Sequence, residues 1–371
     1  MTPQRSIRTL LAGALLILLG ACDLLDFSND QIPECKQLTG DTAPDILTCF
    51  NPLYFSLPDW HPGGTWIAAE HADSIDTNED GVPDTWFAGI WLVHAQSGET
   101  RPLLPFGGAP DWNPAGTHLA IDTPGNIYTV EITSLDPPAF DTSSITLLTP
   151  FDARSFYPTW SGDGQRIAFE TNYNHENGAY YVWSIGKNGA DLQKISQSQS
   201  GGSRAPDWSY KNASIAFTSS VSGNTEGPEV LTMNSDGSGS KQLTDSGGNY
   251  SPKFSRDGTK IAYEHRPEGL SSSLWVMDAD GSNKKPIAKY WSSNLAWSPD
   301  GTQIVYVFSN QYFQGPGNGQ LWIMDADGSN KRPLTDVAPA IPGNHEKAPP
   351  ASTNPLILHD QKSSFSHFNI K

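Results

Sequence analysis

From Pro58 to residue 335, apolar and polar positions alternate with period two in short runs. Gly, Pro, Asn and Asp punctuate the runs, so the pattern predicts strands joined by tight turns. The runs are copies of one unit. Its first part reads "PDWHPGGTWIAAE" from Pro58, "PDWNPAGTHLAID" from Pro110, "PTWSGDGQRIAFE" from Pro158, "PDWSYKNASIAFT" from Pro206, "PKFSRDGTKIAYE" from Pro252 and "LAWSPDGTQIVYV" from Leu295. The anchoring aromatics Trp60, Trp112, Trp160, Trp208, Phe254 and Trp297 are 52, 48, 48, 46 and 43 residues apart. Each unit then carries an alternating strand and a short closing strand, as in "LWVMDADGSNKKPIA" from Leu274 and "LWIMDADGSNKRPLT" from Leu321. Four short strands in a repeat of this length describe a propeller blade, whose two apolar faces can be buried only by neighbouring blades.

The "WSPDG" turn, followed by an "IAY"-like strand and then "LWVMDADGSN" with a closing "LT", resembles the TolB-type propeller repeat. The resemblance covers roughly residues 58–335 and implies an all-β β-propeller of four-stranded blades. Six blades are favoured. A seventh is open, because the tail 336–371 could supply degenerate strands and "DILTCF" from Asp45 could close them. TolB itself has a separate α/β domain before its propeller, and residues 22–57 are too few to hold one. The expected organisation is therefore 1–21 signal peptide, 22–57 anchor or linker with a candidate closing strand, 58–335 propeller and 336–371 tail or seventh blade.

Arg5 and Arg8 precede the apolar run Leu10–Leu19, which is short for a membrane span and reads as a signal peptide. "LLGAC" resembles the lipobox of bacterial lipoproteins, which implies acylation of Cys22 and a membrane attachment through lipid in the bacterial cell envelope. Cys35 and Cys49 then remain as an even pair in an oxidising compartment, most simply a disulfide. Loss of Arg5 and Arg8 with the signal takes the net charge from −17 to −19. Such a surface repels nucleic acid and suits cations or basic partners.

Two motifs carry the D-x-D-G spacing of calcium loops. The "DADGSN" stretches occupy the place held in other units by "NSDGSG", "GKNGAD" and "HAQSGE". Glycine persists there while the aspartates vary, so hairpin turns are expected. The stretch from Asp76 differs. Asp76, Asn78, Asp80 and Asp84, with the carbonyl of Val82 and a turn at Gly81, resemble the calcium loops of thrombospondin type 3 and dockerin repeats. A structural Ca2+ is expected at this loop, between the second and third strands of the first blade.

Aligning the units also lines up a column after the second-strand core: Glu70, Asp122, Glu170, Thr218, Glu264 and Val307. His71 and His265 follow two of these carboxylates, and Asp59, Asp111 and Asp207 precede anchoring aromatics on the innermost strand. A partial acidic ring near the channel, able to hold a divalent metal or a basic segment, is one expectation; solvated strand ends are the other. No nucleophile elbow, zinc-protease helix or phosphate-cradling loop appears. The expected function is thus a lipid-anchored envelope propeller that binds a protein or cell-wall ligand. The alternative is a metal-dependent polysaccharide lyase or hydrolase, since some TolB-like propellers resemble oligogalacturonate lyases. The propeller of a prolyl-peptidase-like enzyme fits less well, because the sequence to Lys371 leaves no room for a hydrolase domain.

Overall fold

The computed structural model describes residues 54–75, 85–123, 125–149, 152–175, 178–197, 202–221, 227–267, 271–289, 292–309 and 319–335. Six antiparallel sheets, each of four strands in chain order, form six blades. They span Tyr54–Leu104, Gly108–Leu147, Ser155–Lys194, Ser203–Gln242, Asn249–Ala288 and Ser292–Pro333. The segments considered for a seventh blade lie outside the described residues, as do Cys22, Cys35, Cys49 and the loop from Asp76 to Asp84. The first strands of successive blades neighbour one another, and that of blade 6 neighbours that of blade 1, so they ring a central channel.

Burial follows the repeat. Trp112 of blade 2 is fully buried among Ala68 and Leu92 of blade 1, and Trp208 of blade 4 sits with Ala168 and Val182 of blade 3. The anchoring aromatic of one blade thus fills the sheet face of the blade before it, which supplies about 2–3 kcal/mol of hydrophobic stabilisation per ring. Blade 6 meets blade 1 in the same manner, with Val305, Leu321 and Ile323 against Phe55, Trp60 and Ile67. The closing "LT" also has a local purpose. Thr149, Ser196, Thr244 and Thr335 accept hydrogen bonds from the amides of Ile127, Val182, Val230 and Leu321 at 2.9–3.1 Å, tying the fourth strand to the third.

In one blade the strands exceed the expected pattern. The apolar run "ITLLT" predicts a short fourth strand in blade 2, but this strand covers Pro138–Leu147 and its partner Asn126–Leu135. Phe140, Ile145 and Leu147 pack with Phe106 beside blade 1, and Arg101 pairs with Asp136 at 2.6 Å, so side chains from both blades hold the longer hairpin in place.

The "DADGSN" segments are hairpin turns whose carboxylates are engaged within the turn. Asp278 accepts from Asn283 at 2.6 Å and from Lys260 at 2.8 Å, while Asp280 accepts from Ser282 at 2.6 Å. Asp325, Asn330, Asp327 and Ser329 repeat the arrangement in blade 6. The persistent glycine answers to packing as well as to φ. A Cβ on Gly237 would lie 2.0 Å from the Ile195 carbonyl oxygen of the preceding blade, and one on Gly328 would lie 2.6 Å from that of Ile287. At the closure, a Cβ on Gly98 of blade 1 would lie 1.8 Å from the Leu334 carbonyl oxygen of blade 6.

Gly237→Ala meets both a positive φ of 83° and this carbonyl, and is expected to cost roughly 2–4 kcal/mol in chemical denaturation. Gly64→Ala has φ 78° but open space, and is expected to cost only about 1 kcal/mol.

Candidate functional site

The channel is shaped by a defect repeated six times. In every blade the pairing of the first and second strands shifts register. At that bulge one residue is left-handed: Leu57, Ala109, Tyr157, Ala205, Ser251 and Asn294 have φ between 43° and 51°. None is glycine, so each position stores on the order of 1–2 kcal/mol of strain. These residues line the waist of the channel, with the prolines that follow five of them and with Lys253. The cavity there is only ≈ 50 Å³, room for a few water molecules.

The acidic column found in the sequence meets these bulges. Glu170 accepts the Ala205 amide at 2.7 Å, Asp122 that of Tyr157 at 3.2 Å, and Glu264 that of Asn294 at 2.7 Å. Glu70 accepts from Ala109, and the Thr218 hydroxyl replaces a carboxylate for Ser251 at 3.0 Å. Each side chain therefore reaches from its own blade to the kinked inner strand of the next. A second tier lies along the same strands. Asp59, Asp111 and Asp207 accept the amides of Trp112, Trp160 and Phe254, each at 2.7 Å, and Thr159 accepts that of Trp208 at 3.2 Å.

Charge in the two tiers is balanced differently. In the first, burial raises the carboxyl pKa of Glu70 to about 7, of Glu170 to about 7 and of Asp122 to about 8; the Glu70 charge adds to the rise at Asp122. Glu70 and Asp122 bracket Gly108, where a Cβ would lie 2.7 Å from Glu70 Oε2 and 3.1 Å from Asp122 Oδ1. In the second tier burial raises Asp59 to about 6 and pushes Asp111 up further, with Asp59 adding to it. Lys253 supplies the counter-charge, 3.1 Å from Asp207 Oδ1. Burial opposes its charge, but Asp207, Asp111 and Asp59 outweigh burial and keep it protonated.

The histidines flanking the acidic column turn to other surroundings. His71 is buried, stacked on Trp91 at 4.4 Å and edge-on to Phe55, and its pKa falls to about 4 through burial. His265 shares a hydrogen bond with Asn249 at 2.9 Å and stands against Trp275. Strand alternation sends them to the face opposite their carboxylate neighbours. Among the described residues, no three His, Cys, Asp or Glu side chains converge as metal ligands.

Sequence reasoning did not find the groups around the first tier. Tyr157, 40% exposed, is the one exposed large hydrophobic side chain among the described residues, and Glu170, Asp122, Glu70 and Glu264 all act on it electrostatically. Beside it Arg266 pairs with Glu264 and lies over Tyr250, while Arg204 lies over Tyr180 at 4.5 Å and 4.0 Å from Glu170. At the second tier Tyr210 donates to the Trp112 carbonyl at 3.0 Å with Arg256 over its ring at 3.5 Å. The only advance signal was irregularity in two columns: the residue before the repeated proline varies freely, and Lys253 brings a positive charge to a column that holds Asp59, Asp111, Thr159, Asp207 and Ala296.

A family described as "TolB beta propeller domain" matches residues 109–342. A TolB homolog of Chlorobium luteolum is 35% identical over 126 residues, 34% of this chain and 27% of that relative, so the chain spans about a quarter of its length. TolB from Acinetobacter baumannii superposes with TM-score 0.54 at 18% identity, over 77% of this chain and 64% of that one. An oligogalacturonate lyase in complex with manganese superposes with TM-score 0.51 at 12% identity, over 76% of this chain and 77% of that one. At these identities the two solved structures show a common fold and nothing finer.

Carboxyl groups whose folded pKa is raised hold their protons more tightly in the native state, so stability falls as pH rises towards that pKa. His71 acts in the opposite sense but counts little above pH 6.5, since its folded form is neutral and less than half of its unfolded population is still charged. From pH 6.5 to 8 the melting temperature is therefore expected to fall by several degrees through Glu70, Asp122 and Glu170. The triple variant Glu70→Gln/Asp122→Asn/Glu170→Gln keeps an acceptor at each place and is expected to flatten that profile in calorimetry.

Proposed function

The chain belongs to the TolB β-propeller domain family, and from that premise we propose that it is a binding module of the bacterial cell envelope. In this reading it is attached through lipid on Cys22, faces the periplasm or exterior, and meets an envelope protein or cell-wall ligand at the channel mouth around Tyr157. The observation that carries the reading is the waist of ≈ 50 Å³ below that mouth. A waist of this volume is far smaller than a small-molecule pocket, which favours a macromolecule that meets the face. The carboxylates beneath the mouth are held by backbone amides of neighbouring blades, while Tyr157, Arg204 and Arg266 beside them are exposed. Tyrosine and arginine are the residue types that anchor interfaces. The charge of the mature chain speaks against nucleic acid as the ligand.

A metal-dependent lyase or hydrolase on this propeller would draw on imidazoles at the channel. His71 lies in an aromatic stack and His265 on Asn249, so the geometry favours binding over that alternative. A calcium ion held by Asp76, Asn78, Asp80, Asp84 and the Val82 carbonyl belongs to the same proposal, as a staple for the loop that joins the second and third strands of blade 1.

A photo-crosslinking residue at position 157 of the mature chain, expressed in its own membranes, is expected to yield one discrete adduct that Arg204→Ala/Arg266→Ala weakens. Adducts no different from those of a probe at the fully exposed Asp236 position would sink the proposal. Elemental analysis of the purified chain is expected to find one equivalent of calcium, lost in Asp76→Ala/Asp80→Ala; a calcium-free wild type would remove the staple.

A further inference from the structure

Five of the six junctions between blades carry at least one side-chain clamp on a backbone amide of the next inner strand. Blades 1 to 2, 2 to 3, 3 to 4 and 4 to 5 carry both tiers. Between blades 5 and 6 Glu264 holds Asn294, and the Trp297 indole donates to the Lys253 carbonyl at 3.1 Å. Between blades 6 and 1 both clamp positions are apolar. Val307 stands where the first-tier acceptor would face Leu57, and Ala296 stands where the second-tier acceptor would face Trp60.

Among the described residues no strand is shared across this junction: blade 1 and blade 6 each consist of their own four consecutive strands. What crosses it among the described residues is the apolar cluster, the close approach of Gly98 to Leu334, and a long bond from Arg332 to the Ala95 carbonyl at 3.4 Å. Apolar contact is non-directional and exposes no orphaned buried carboxylate when it parts, whereas a clamped junction would strand one.

We infer that the ring is built to part at the seam between blades 6 and 1, and that this seam is a lateral gate to the channel. Its two walls carry Leu57 and Pro58 on one side and Asn294 and Leu295 on the other, all of which line the waist. Separation there widens the waist while the five clamped junctions stay closed. The inference stands independently of what binds at the mouth.

The second-strand residue that faces the next blade is Val305 at the seam and Ala168 between blades 3 and 4, and both are fully buried. In the mature chain under native conditions, a thiol reagent is expected to modify Val305→Cys at least about tenfold faster than Ala168→Cys, since both clamp hydrogen bonds are missing at the seam. The modified peptide is located by mass, which separates it from Cys35 and Cys49. Adding Val307→Thr, which copies Thr218 of blade 4, is expected to slow Val305→Cys roughly fivefold by supplying one acceptor. Native-state hydrogen exchange of the unsubstituted chain reads the same opening without any thiol. Tyr54–Trp60 is expected to exchange at lower denaturant than Ser155–Trp160. Equal labelling rates, exchange of the two strands in one global event, or no effect of Val307→Thr would overturn the gate.

Discussion

The inner strand of every blade is kinked by one residue held in the left-handed region, and the kink turns two amides of that strand towards the blade before it. Left without acceptors in a nearly dry channel wall, each amide would cost about 1–3 kcal/mol. The repeat answers with a side chain from the preceding blade, as Glu170 does for Ala205 and Asp111 for Trp160. Strain, bulge and clamp form one device. It fixes how the blades are spaced around the axis, which apolar packing alone would leave free to slide.

The acidity of the channel is a consequence of that device. Four carboxylates in one tier and three in the other are brought close together because each must reach a neighbouring amide. Burial then pushes up the protonation of Glu70, Asp122 and Glu170 in one tier and of Asp59 and Asp111 in the other, and neighbouring carboxylates add to the rise at Asp122, which faces Glu70 across Gly108, and at Asp59 and Asp111. Blade 5 relieves the second tier by placing Lys253 in the column that holds Asp59, Asp111 and Asp207, at the loss of one clamp. The perturbed carboxyls in this channel are accounted for by architecture, and Tyr157, Arg204 and Arg266 around them are exposed.

Closure depends on a smaller set of contacts. Gly98 on Leu334 repeats the glycine contact made by Gly237 on Ile195 and Gly328 on Ile287, so the last blade addresses the first through the same turn geometry used between consecutive blades. The aromatic and aliphatic cluster also continues across the closure. Only the polar clamps stop, at Val307 and Ala296, and this makes one junction chemically unlike the other five.

The repeat was legible in the sequence, because period-two alternation and turn residues are local and a blade is a contiguous piece of chain. Six units anchored by Trp60 to Trp297, and the hairpin nature of "DADGSN", followed from that alone. The columns Glu70 to Val307 and Asp59 to Asp207 were also visible, but their partners were not. A carboxylate in one blade meets an amide 30 to 53 residues away, a pairing set by how sheets stack and encoded in no local pattern. Tyr157 lay in a column that varied without apparent rule, and its exposure at the mouth depends on the channel having closed around it. Sequence determined the blades, because strands and turns respond to neighbours along the chain. The tertiary structure decided which acids are clamps, where the ring is unclamped and which side chains face outward, because those answers depend on distances between blades.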